Sequence, residues 1–333
     1  MHRLRNAFRP VVEVLEDRCT PSGVVTGSFA HGVWTLTGDS GDNDITVNSS
    51  GPPASFTVTG NNGTTVTGLT TPTGVKAIVY DLGAGNDTVG MNTNTTPIRL
   101  NALTFLGGDG DNTFFATYLT VNTNLRVTNG TGFDDTELTD FKVKGSVFIN
   151  DGDGGSSTAF FTDLSSVGFN SIGGNLTILN GTGADDVFIS DTKVGGNIIN
   201  NNGSGDGTNA GEFQMLNQNQ TGARAVVGGN VSVTFADGNG RVNLLDTHVK
   251  GSVTLNNGSG QFLSEFDGGA TLLPVKVDHN LTITGTGSNT IVVGEFMQRT
   301  GMIVGGNLLI DLGHPASAMD LFKLVVHGTT TIE

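Results

Sequence analysis

From residue 121 onward the chain returns nine times to one phrase: an aliphatic residue, usually two small ones, then Asn or another short polar residue, then an alternating apolar run. The openings are Val121, Val143, Ile172, Val194, Val227, Val249, Val277, Val304 and Val326, spaced 22, 29, 22, 33, 22, 28, 27 and 22 residues apart. So short a unit cannot bury its own apolar face, so copies must stack, and residues beyond the basic unit become loops. A repeat array grows by adding coils, so a length of 333 residues does not count domains.

Within each unit the side chains alternate with period two, which is the period of a strand. Positions four and six after the openings form the expected inward pairs: Leu125 and Val127, Val147 and Ile149, Leu176 and Ile178, Val231 and Val233, Val253 and Leu255, Leu281 and Ile283, Leu308 and Ile310. One coil carries Ile198 and Asn200 instead, which predicts either an amide satisfied by neighbouring coils or a local bulge. Gly and Asn interrupt every run before a helical period could develop. The fold class expected is all-β, a right-handed parallel β-helix of coils of about 22 residues. Two more coils, around Ile78 to Val89 and Leu103 to Phe114, bring the array to about eleven turns.

Residues 24–73 read as short strands with tight turns at Gly38 to Asp44 and Gly60 to Gly63, an expected N-terminal β cap with Trp34 covering the end of the core. Most phenylalanines, among them Phe105, Phe148 and Phe235, are expected to stack inside. The parallel β-helix is then assigned to 74–333. Thr331, Ile332 and Glu333 fall in the first strand of a new coil, which predicts an array truncated at its C-terminus.

Charge excludes one partner class. The chain has 31 acidic and 16 basic side chains, a net charge of -15, so a nucleic-acid backbone would be repelled. Such an acid excess suits a secreted protein kept soluble by repulsion, or one that collects divalent cations. The single cysteine, Cys19, rules out an intrachain disulfide, and no apolar run is long enough for a transmembrane segment.

Residues 1–23 differ in composition, with Arg3, Arg5, Arg9 and Arg18 crowded together. The stretch from Leu15 to Ser22, LEDRCTPS, resembles a short N-terminal tag found ahead of many secreted bacterial repeat proteins. That resemblance implies export or surface sorting and an unstructured leader at 1–23. From about residue 74 the recurrent VGGN at 194–197, 227–230 and 304–307, with IGGN at 172–175, resembles the secreted bacterial β-strand-repeat proteins. The likeness implies architecture far more than activity, because this fold carries adhesins and enzymes alike.

The best local motif is GxGx[DN]x, as in Gly83, Gly85 and Asp87; Gly108, Gly110 and Asn112; Gly130, Gly132 and Asp134; Gly181, Gly183 and Asp185; and Gly285, Gly287 and Asn289. It has two readings. Gly can supply positive φ at a corner, with Asp or Asn closing the turn. It also resembles half of the calcium-binding nonapeptide of RTX repeats, which implies Ca2+ held by Asp87, Asp134, Asp135, Asp185 and Asp186. Adjacent acids repel without a cation, which favours the metal a little.

A second column, Asp140, Asp191 and Asp246, precedes Lys142, Lys193 and His248 by two residues, so on a strand acid and base would share one face. The array is similar in outline to pectate-lyase-like enzymes, which implies a groove for an acidic polysaccharide. Mutually neutralising surface pairs are the plainer expectation. No catalytic signature is present: there is no GxSxG elbow and no metal-ligand spacing among the six histidines.

The reading reached is a secreted or cell-surface structural or adhesive protein without catalysis, its partners extracellular matrix, surface polysaccharide or further copies of itself. The alternative is a polysaccharide-active β-helix enzyme, lyase or hydrolase.

Overall fold

A computed structural model describes residues 23–49, 55–91, 97–162, 170–203, 211–217, 224–268, 273–294 and 300–333. The sorting tag expected at 1–23 lies almost wholly outside them.

One coil explains the rest. The strand Leu119–Val121 ends on an opening aliphatic, a short turn follows, and Leu125–Asn129 runs as the next strand. A glycine corner leads into Asp134–Thr139, and a second corner at Asp140 leads into Lys142–Val143. Each coil therefore has three strands, and every strand pairs in parallel with its counterparts one coil before and after. Leu125 lies between Leu103 and Val147, Asp135 between Thr113 and Ser157, and Val121 between Leu100 and Val143. The outcome is a β-solenoid with sheets of 14, 12 and 10 strands among the described residues, and no helix among them.

The turns of the solenoid average about 26 residues, where the sequence predicts 22. The difference lies in the insertions. Ladder bonds between neighbouring coils link residues 21, 22, 25, 27, 28, 29 or 33 apart, so 22 lies near the shortest coil and is not the average one.

The predicted inward pairs all lie in the core, from Leu125 and Val127 to Leu308 and Ile310, each no more than 2% exposed. Burying each such aliphatic contributes about 1.5–3 kcal/mol, and stacking repeats that gain in every coil. Asn200 is 1% exposed and donates its amide to Asn202 Oδ1 at 2.9 Å, so the polar exception is partly satisfied within its own coil.

The VGGN phrase has a structural cause. Asn175 Oδ1 accepts the backbone N–H of Asn197 at 2.9 Å, Asn197 Oδ1 accepts that of Asn230 at 2.8 Å, and Asn230 Oδ1 accepts that of Ser252 at 2.8 Å. Asn124, Ser146, Asn280 and Asn307 extend the same ladder from Ser146 to Thr329. A short polar residue recurs there because only its side chain reaches the next coil. The glycines before it let the turns touch: a Cβ on Gly196 would overlap the Asn175 side chain and lie 2.9 Å from the Gly174 carbonyl.

At the N-terminal end the pattern changes. Val24–Ala30 pairs antiparallel with Val33–Thr37, and Asp44–Ser49 pairs antiparallel with Phe56–Gly60. The second and third of these strands also run parallel to Ala77–Asp81 and Thr88–Met91, so residues 24–60 extend the solenoid's own sheets. Trp34 is fully buried there, 6.2 Å from Phe56, and donates Nε1–H to Leu69 O at 3.1 Å.

Phe105 and Phe235 are buried as expected, and Phe105 stacks on Phe114 at 5.1 Å. Phe148 is not in the core. It alternates outward between the buried Val147 and Ile149, where Arg126 sits 4.8 Å above its ring.

Candidate functional site

The corner between the first and second sheets gathers the polar groups of the interior. Gly108 and Gly110 have φ of 83° and 122°, a region that side chains disfavour, and a Cβ on Gly110 would overlap the carbonyl of Gly85 in the coil below. Asn112 closes the corner, its amide donating to Gly108 O at 3.0 Å and Gly110 O at 2.9 Å. The turn reading of GxGx[DN] is therefore met in this coil, while Gly130, Gly181, Gly285 and Gly287 are not among the glycines of positive φ.

The same residues also join the coils. Asp87 Oδ1 accepts the Asn43 N–H at 2.7 Å, Asn112 Oδ1 accepts that of Asp87 at 3.2 Å, and Asp134 Oδ1 accepts that of Asn112 at 3.0 Å. Further along, Ser156 Oγ donates to Asp185 Oδ1 at 3.0 Å. Carboxylates thus alternate with neutral residues in this row, which keeps like charges about two coil steps apart.

A second inward row, at the end of the first sheet, breaks that spacing. It holds Asn129, Asp151, Asn180, Asn202 and Asn257, all buried. Asn129 Nδ2 donates to Asp151 Oδ1 at 3.1 Å, and Thr158 Oγ1 donates to Asp151 Oδ2 at 3.3 Å. Asp151 lies in the coil between those of Asp134 and Asp185 and feels the charge of both. Burial first, then these neighbours, hold its carboxyl at about 7. Burial likewise raises Asp185 to about 7 and Asp134 and Asp87 to about 6, against hydrogen bonds that pull the other way. The second oxygens of Asp87, Asp134 and Asp185 are buried without a partner.

Asp87, Asp134 and Asp185, three of the five acids expected to hold calcium, therefore point inward. The other two, Asp135 and Asp186, project from the opposite face of the second sheet, separated there by Ser157. Their oxygens are the hard donors calcium takes, but the five do not form one site. Among the described residues no three His, Cys, Asp or Glu side chains are grouped to hold a metal ion.

The second acid column is placed differently from the prediction. Asp140, Asp191 and Asp246 have φ of 52°, 46° and 48° and form the corner between the second and third sheets, a position taken by Tyr118 in an earlier coil. Asp tolerates this left-handed conformation better than most residues, which accounts for the column. Lys142, Lys193 and His248 follow on the outward face of the third sheet. His248 Nε2 meets Asp278 Oδ2 at 3.0 Å and Lys276 Nζ meets Asp278 Oδ1 at 2.7 Å, so that neutralising acid comes from the turn after the strand.

Sequence reasoning missed two groups. Asp151 was readable, since it precedes Gly152 as Asn129, Asn180, Asn202 and Asn257 precede glycines in their coils. The other is on the outward face of the second sheet, where Arg241 Nη2 donates to Glu265 Oε2 at 2.6 Å and Arg241 Nε lies 3.8 Å from Glu212 Oε1. Asn243 joins them, accepting from Arg241 Nε at 3.2 Å and donating to Glu212 Oε1 at 3.0 Å. Burial raises the Glu212 carboxyl above its usual range. The insertions that bring these residues together gave no signal.

No family model matches the sequence, and no curated protein or solved structure matches it either.

Proposed function

We propose that this chain is a structural and adhesive repeat protein, secreted or displayed at the cell surface, that acts as a stiff rod without catalysis. The observation that carries the reading is the unbroken first-sheet ladder, in parallel register from Val33 to Ile332 and doubled by the Asn and Ser ladder at its turns. Such a rod offers the same face many times over, which suits weak multivalent contact with matrix, surface polysaccharide or copies of itself. No helix among the described residues is long and apolar enough to cross a membrane.

Antibody labelling and protease shaving of intact cells test the location, and incubation of the full chain with polysaccharides tests catalysis. The proposal expects surface accessibility and no release of reducing or unsaturated ends; an intracellular chain, or one that turns over a polysaccharide, overturns it.

Calcium stabilisation belongs to the proposal through electrostatics. Asp134 and Asp185 each repel Asp151 between them, and a divalent cation relieves repulsion between ionised carboxylates.

A second reading, a polysaccharide-active enzyme, is supported by Glu212 and Glu265 on either side of Arg241. A half-buried carboxyl of raised pKa beside an ion-paired one is the arrangement of an acid and base pair. It predicts turnover that Glu212→Gln abolishes.

A further inference from the structure

Beside this cluster, on the outward face of the second sheet, lies an open groove of about 620 Å³ that crosses three successive coils. Asn239, Arg241, Gln261, Leu263, Ser288 and Thr290 line it. The register stacks them in two rows: Arg241, Leu263 and Thr290 in one, Gln261 and Ser288 in the other. Asn239 Oδ1 accepts the Gln261 N–H at 3.0 Å, which fixes the amide row to the backbone. Hydrogen-bonding groups thus recur along the groove at steps of about 4.8 Å, with an apolar side chain between them.

Charge narrows the occupant. No carboxylate lines the groove, so it has nothing for a polycation to pair with. Its one cation, Arg241, is already met by Glu265 at 2.6 Å and approached by Glu212 at 3.8 Å. A polyanion would therefore find no unpaired cation in this groove, on a protein of net charge -15. What remains is a chain rich in hydroxyls and without charge. Its hydroxyls would bond to the Gln261 amide and the Ser288 and Thr290 hydroxyls, and its apolar ring faces would lie on Leu263.

We propose that this groove binds an extended neutral polysaccharide. The inference rests on the adhesive reading above and can fail separately from it, since cell-surface location and absence of turnover are measured without any glycan binding.

Affinity electrophoresis of the full chain tests it, in gels containing neutral glucan, mannan or galactan, with polygalacturonate and polylysine as charged comparators. The variants are Gln261→Ala with Thr290→Ala, Thr290→Ala alone should the double variant unfold, and Thr254→Ala on the outward face of the first sheet. The expected result is retardation by at least one neutral polymer, weakened about tenfold in the double variant by the loss of two hydrogen-bonding groups, and unchanged in Thr254→Ala. Retardation by the charged polymers alone, by no polymer, or equally in parent and groove variants overturns the proposal.

Discussion

Asp134 accepts the backbone N–H of Asn112 through one carboxylate oxygen at 3.0 Å, while its other oxygen is buried with no partner. The same division holds for Asp87, which accepts from Asn43. One oxygen fastens two coils together and the other bears the cost of leaving water. Several of the molecule's testable properties follow from that conflict.

The first is pH. Burial holds Asp134 at about 6 and Asp151 and Asp185 at about 7, above the ordinary carboxyl value, so the folded chain keeps protons that the unfolded chain releases. Their contribution to stability is fully present below about pH 4 and is lost as pH rises through 6 to 7. Thermal unfolding between pH 5 and pH 8 should show Tm falling across this window. Asp151→Asn, which gives position 151 the amide found at Asn129 and Asn180 in the coils on either side, should raise stability at pH 8 by up to about 4 kcal/mol and flatten the profile. A profile that Asp151→Asn leaves unchanged would show that other groups set it.

The exposed Asn ladder is a weaker device. Asn197→Ala removes the acceptor for the Asn230 N–H and should cost about 1 kcal/mol in denaturant unfolding. Asn197→Ser should cost less, since serines already hold this position at Ser146 and Ser252.

Glycine has two separable roles. Gly74 has φ of 72° and open space around it, so Gly74→Ala should cost about 1–2 kcal/mol from backbone strain alone. Gly108 has φ of 83°, and a Cβ on it would overlap the carbonyl of Gly83. Gly108→Ala should therefore cost markedly more than Gly74→Ala. Equal losses in urea titrations would mean that the coils do not approach as closely as the ladder requires.

The rows that period two defines were legible in the sequence, because Leu176 and Ile178 need only alternate and meet their like in the next coil. The GxGx[DN] corner was equally legible, being local chemistry. Phe148 was not, because aromatic content does not say on which face of a strand a ring falls; its alternation between Val147 and Ile149 does. The Asp140, Asp191 and Asp246 column was visible, but its left-handed corner was not, since spacing alone does not distinguish the end of a strand from its middle. Glu212, Arg241 and Glu265 meet only because coils of unequal length bring them into register, and no local pattern encodes that.

Calcium should compete with protons at the inner carboxylates. Millimolar Ca2+ should raise Tm at pH 8, where Asp134, Asp151 and Asp185 are ionised in part or in full, and have little effect at pH 5. No rise at pH 8 removes calcium from the account.

The central claim is that successive coils lie one above another at a fixed step whatever their length in residues. Arg126 is joined through Phe148, Thr177, Ile199 and Ser232 to Thr254, and through Thr282 to Leu309. With Cys19 replaced by Ser, spin labels at 126 and 254 should lie about 24 Å apart, and labels at 126 and 309 about 34 Å apart, by pulsed dipolar spectroscopy at about 4.8 Å per step. A distance from 126 to 309 no longer than that from 126 to 254 would contradict the stack.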